Sequence, residues 1–229
     1  MPYTMVHLEV AGRLLRQLGW IERSGDFLLG AVAPDSVHFR EHYEVSMKER
    51  SHLWTGCGPH WGMTTESEIW KQNVLTFWNQ HKKDETRDFI AGYCAHILTD
   101  WWSNLRVWIP YRNEIEQIIR KKRLDDGEDI NMNEIHAPYG QEAQEFDQWL
   151  YHTSDYSEEI WHLLMNGNAY SIRNCVRAED IERQRRVILT EQFQTKESPD
   201  ISGNRYCTKE VFCPFIEECV EIIVQEIIL

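Results

Sequence analysis

Apolar residues recur at spacings of three and four along most of the chain, and no useful stretch alternates with period two, so the pattern predicts an all-α fold. Thr4 opens a first helix that carries Met5, Leu8, Ala11, Leu14, Leu15 and Leu18 on one stripe before Gly19 weakens it. From Thr64 the phrase TTESEIWKQNVLTFWNQH sets Ser and Thr ahead of Glu, then Trp70, Val74, Phe77 and Trp78 on one face. Asp88 to Trp108 is apolar nearly all round, as expected for a helix enclosed by others. Pro110 predicts a bend, followed by an amphipathic helix from Tyr111 to Arg123. Further helices are expected over Ala137 to Tyr151, Ser157 to Met165, Ala178 to Phe193, and the closing run VFCPFIEECVEIIVQEII. Lys48 to Gly62, DDGEDINMN and Thr195 to Asn204 read as loops. The expected architecture is one domain over residues 1–229, an irregular bundle of about eight helices.

Composition narrows the partners. A formal net charge of −13 disfavours binding to a nucleic-acid duplex, which relies on Lys and Arg neutralising phosphates. It leaves room for a small or lipidic phosphodiester held by a cationic metal. The start, MPYTMVHLEVAGRLL, lacks the pattern of a secretory signal, and no stretch approaches the length of a membrane span. Six cysteines without a Cys-x-x-Cys pair are expected to be reduced core residues, so a cytoplasmic protein is the expectation.

Candidate chemistry begins on the Asp88 to Trp108 helix. His96 and Asp100, four residues apart, share a face with Cβ atoms roughly 5–6 Å apart, near enough to grip one ion. A buried carboxylate needs compensation, which a metal, an Arg, a Lys or a plain Asp–His hydrogen bond would supply. Asp35 follows Ala33-Pro34, which restrains the backbone, and would also serve as a first-turn helix acid. His7 lies on the first helix, His52 beside Trp54 in a loop, and His38 and His42 follow Asp35 at helical spacing. A lone His at such positions is most often a surface or capped core residue. His60 is a weaker candidate in the same loop, and Glu142, Glu145 and Asp147 read by default as a solvated helix face.

Taken in order, His7, FLLGAVAPD with Asp35, the SHLW phrase with His52, and Gly-x-x-x-His-x-x-x-Asp from Gly92 to Asp100 resemble the zinc-dependent phospholipase C family, whose all-helical fold is shared with the S1/P1 nucleases. The resemblance covers roughly residues 4 to 108. It implies that His96 and Asp100 are central-helix metal ligands with Asp100 bridging two ions, that Asp35 and His52 bind the same metal as His96, and that His7 binds its neighbour. A third family metal lacks its ligands here: Arg106 stands where a His is expected, and Gln141 and Glu145 only echo a later His-x-x-x-Glu pair. One or two ions are therefore expected, with His136, Glu142, Glu145, Asp147 and His38 as further candidate contributors and Arg106 as a candidate phosphate contact.

The implied activity is phosphodiester hydrolysis, phospholipase C-like, with Asp35 as proton acceptor for a metal-activated water and zinc as the metal, although Mn, Fe or Ni would also suit these ligands. The expected partner is a small phosphodiester or phospholipid-like substrate. An HD-type phosphohydrolase is disfavoured because none of the ten histidines is followed by Asp. The alternative from another class is a non-catalytic metal- or ligand-binding helical protein that keeps the fold.

Overall fold

In a computed structural model, residues 3–122 and 132–228 are described. They form ten α-helices and no β-strand, apart from an isolated bridge between Ile172 and Val176. The helices are α1 (Thr4–Gln17), α2 (Ser24–Gly30), α3 (Val45–Ser51), α4 (Ser67–His81), α5 (Arg87–Ser103), α6 (Ile109–Lys122), α7 (Met132–Thr153), α8 (Ser157–Asn166), α9 (Ala178–Val187) and α10 (Lys209–Ile228). Among the described residues, no helix is long and apolar enough to cross a membrane.

The all-α expectation holds, with two more helices than predicted. Both extra helices, α2 and α3, have only seven residues, too few for a 3.6-residue period to declare itself. The first residues of the expected Lys48 to Gly62 loop are the end of α3, and His52 caps its C-terminus. Helical backbone runs from α5 through a wide π-type turn over Asn104–Trp108 into α6, whose second residue is Pro110. Apart from its last two residues, DDGEDINMN lies outside the described residues.

Helix α5 is the buried axis, packed against α1, α2, α4 and α10. Every residue from Asp88 to Trp101 is buried, which explains the absence of a polar face in its sequence. Its closest neighbour is α2. A Cβ at Gly92 would overlap the carbonyl of Phe27, and one at Gly30 would overlap the carbonyl of Phe89. Two glycines thus let two backbones touch, which delivers Ala31 and the Asp35 turn to the face of α5 that carries His96 and Asp100.

Asp147 corrects the reading of α7 as a helix with a solvated acidic face. It is buried, and its Oδ1 accepts hydrogen bonds from the backbone N–H groups of Met5 at 2.6 Å and Val6 at 3.1 Å, satisfying first-turn donors of α1. Burial pushes its carboxyl up to about 8, against the opposing pull of those two bonds.

Candidate metal centre

Three imidazoles and two carboxylates from α1, α3, α5 and the turn after α2 converge in the core. His96 comes first because its tautomer is fixed. Its Nδ1 lies 2.8 Å from the carbonyl oxygen of Ala31, which can only accept, so Nδ1 carries the proton and Nε2 presents a lone pair. Burial pushes this imidazole down to about 3, so it is neutral at ordinary pH. His52 is fixed in the same way: Nδ1 lies 3.0 Å from the Lys48 carbonyl and 2.9 Å from Ser51 Oγ. Its backbone is held by Trp70 Nε1, which donates to the His52 carbonyl at 2.7 Å, and by the Tyr93 hydroxyl, which donates to the carbonyl of Ser51. Leu53, just beyond, adopts a left-handed conformation (φ 52°) that turns the chain out of α3 at a cost of about 1 kcal/mol.

The two Nε2 atoms face each other at 3.3 Å. Around them, His52 Nε2 lies 3.3 Å from Asp100 Oδ2 and 3.5 Å from Asp35 Oδ1, while His96 Nε2 lies 3.8 Å from Asp35 Oδ2 and 3.9 Å from Asp100 Oδ2. Tetrahedral zinc with ligand bonds of about 2.0–2.2 Å requires donor atoms about 3.3–3.6 Å apart, so this set suits one ion with little adjustment. Burial opposes a charge on His52, whereas hydrogen bonding to Asp100 and Asp35 raises its pKa. A metal ion would compete with a proton for its Nε2.

His7 stacks face to face on His96, with ring centroids 3.7 Å apart. Its Nε2 stands 3.5 Å from Asp100 Oδ1. His7 Nδ1, His7 Nε2 and Asp100 Oδ1 are all buried without a hydrogen-bond partner, although unsatisfied buried polar atoms are costly. A cation bridged by Asp100 would satisfy two of the three. The residues present therefore fit one ion, or two. His52, His96 and Asp100 form one group with all donor atoms within 4.8 Å, and His7, Asp35 and His96 form another that overlaps it.

Asp35 closes the centre at the surface. It sits in the first turn of a short 3-10 helix over Ala33–Phe39, set by Pro34. Its side chain is 26% exposed against 2% for Asp100, so it is the acid that reaches both the buried donors and a cleft of about 770 Å³ lined by Phe39, Tyr139, Val187 and others. Burial disfavours its charge, but Lys48 and a hydrogen bond from His52 outweigh that and hold its carboxyl well below the usual range. Lys48 Nζ donates to Asp35 Oδ1 at 2.9 Å. Sequence reading missed this lysine because its segment looked like a loop. The available signal was its place one helical turn before His52.

The remaining candidates separate from the centre. His38 lies at the mouth, its Nε2 3.7 Å from Asp35 Oδ1 and 3.3 Å from Lys48 Nζ. His136 stacks on Trp108 in the cleft wall. His42 and His60 are exposed. Arg106 is 57% exposed and pairs with Glu218 at 3.1 Å, so it does not face the cluster as a phosphate contact. Glu142 is not a ligand either: its Oε2 accepts backbone N–H bonds from Arg205, Tyr206 and Cys207 and shapes a turn. Glu145 takes a hydrogen bond from Gln141 at 3.1 Å on the exposed side of α7.

No family model, no curated protein and no solved structure matches this chain.

Proposed function

We propose that the chain is a metal-dependent, phospholipase C-like hydrolase of phosphodiester bonds, with zinc held by His52, His96, Asp35 and Asp100, and with His7 and the second oxygen of Asp100 available to a second ion. The observation that carries this reading is the convergence of two tautomer-fixed Nε2 lone pairs and two carboxylates, beside a buried His7 and Asp100 Oδ1 that have no other partner. When bound, the ion would supply Lewis acidity toward a water and a phosphoryl oxygen, which would enter as further ligands beside the four protein donors. Asp35 accepts the proton of the attacking water, because it is the ionised group that touches both the donor set and the cleft. The carbonyls of Ala31 and Lys48 keep His96 and His52 aimed, so the donors pay little reorganisation on binding. The cleft walls, with Phe39, Tyr139 and Val187, favour a substrate that carries an apolar or flat group next to its phosphate.

One observation favours the non-catalytic alternative. Lys48 already gives Asp35 a counter-charge, as a metal-free scaffold would need. Turnover of a chromogenic phosphodiester by the metal-loaded protein separates the two readings. A hydrolase loses more than about 100-fold in kcat/KM on Asp100→Ala, exceeding the usual loss for a residue one step removed from the metal. Equal background turnover by both proteins leaves only the scaffold.

A further inference from the structure

Lys48 has two duties that follow from its place on α3. Its carbonyl fixes the tautomer of His52, and its ammonium lies against Asp35. The side chain is 15% exposed and is hemmed in by the Trp61 ring, whose centroid is 5.3 Å from Nζ. An ammonium has three N–H donors. Two are taken, by Asp35 Oδ1 at 2.9 Å and His38 Nε2 at 3.3 Å. No third protein acceptor for Nζ occurs among the described residues, and Lys48 lines the cleft beside Asp35.

Charge counting gives the consequence. With neutral imidazoles, Asp35 and Asp100 bring two negative charges and Lys48 one positive, so one divalent ion leaves the centre at net +1 rather than neutral. A fixed cation beside the ligands repels the ion, and the surplus positive charge attracts an anion from the cleft. We infer that Lys48 is the anion-holding residue of this centre: its free N–H binds a non-bridging oxygen of a phosphoryl group, and the same charge lowers the affinity for the divalent ion. The inference rests on the metal-centre reading above and adds to it the residue that holds the anionic group.

The test uses the full chain, with Lys48→Met preserving the stem and Lys48→Gln as a second uncharged variant if the first does not fold. Zinc affinity is read by chelator competition, and binding of inorganic phosphate to the zinc-loaded protein by calorimetry. The uncharged variant is expected to bind zinc about tenfold more tightly and phosphate at least about tenfold more weakly, while Lys48→Arg, which keeps the charge, stays near wild type for zinc. Zinc affinity that is unchanged or weaker overturns the proposal. So does tighter zinc with phosphate binding unchanged, which makes Lys48 a counter-ion of Asp35 only. A wild-type chain that takes up no zinc removes the centre itself and is told apart by that first measurement.

Discussion

Asp100 and Asp147 are buried almost equally, at 1% and 2% exposure, yet the protein treats their charges in opposite ways. For both, burial is the largest influence and favours the neutral acid. Asp147 has only two backbone N–H groups to offset it, and its carboxyl is pushed up to about 8. Asp100 lies among three imidazoles, and hydrogen bonding to His52 together with the nearby His7 holds its carboxyl below the usual range. A carboxylate that only caps a helix tolerates a proton, whereas one that binds a cation must stay ionised. The contrast separates structure from candidate function more clearly than burial does.

The largest effect expected from breaking this contrast concerns the contact that builds the Asp100 side. Gly92→Ala forces a methyl group against the carbonyl of Phe27 and prises α2 from α5. A loss of roughly 3 kcal/mol in urea unfolding is expected, with weakened zinc binding because Ala31 and Asp35 move away from His96. Stability unchanged within error would mean the backbones do not touch as described.

Next comes the Asp147 side. Its folded pKa of about 8 exceeds the ordinary value of 3.8, so between those limits the folded chain holds a proton that the unfolded chain has released. Its contribution to stability is therefore complete below the lower value and is lost as pH rises toward the upper one. Denaturant midpoints of wild type and Asp147→Asn, compared from pH 5 to 8, should converge as pH rises if Asn is the weaker partner for Met5 and Val6. A gap that stays constant with pH would show that Asp147 is already ionised.

The smallest effect is expected at Arg106, which faces Glu218 and solvent rather than either acid. Arg106→Ala should change stability by less than about 0.5 kcal/mol and leave phosphodiester turnover unaltered. A tenfold drop in turnover would return it to the site.

What could be read without the structure follows from the range of each signal. Helical periodicity marks long elements, so α1, α4, α5 and α10 were legible, as was the pairing of His96 with Asp100 four residues on. The resemblance located His7, Asp35 and His52, which come from separate segments and have no mutual spacing. Lys48 escaped because α3 is too short to show a period, and Asp147 because its partner is the start of α1, far away in sequence. Arg106, expected as a phosphate contact, faces Glu218 instead. Six residues at about 100° each put it about 240° round the helix from Asp100, and the wide turn from Asn104 shifts it further.

Elemental mass spectrometry shows whether the buried donors around Asp100 hold a divalent ion. The full chain is purified without added metal beside Asp100→Ala and His96→Ala. Zinc, or another divalent transition metal, is expected at one or two ions per wild-type chain, with a small fraction of that in both variants. A wild-type chain that carries no ion and takes none up from zinc buffer, or variants that retain the wild-type amount, would contradict that expectation.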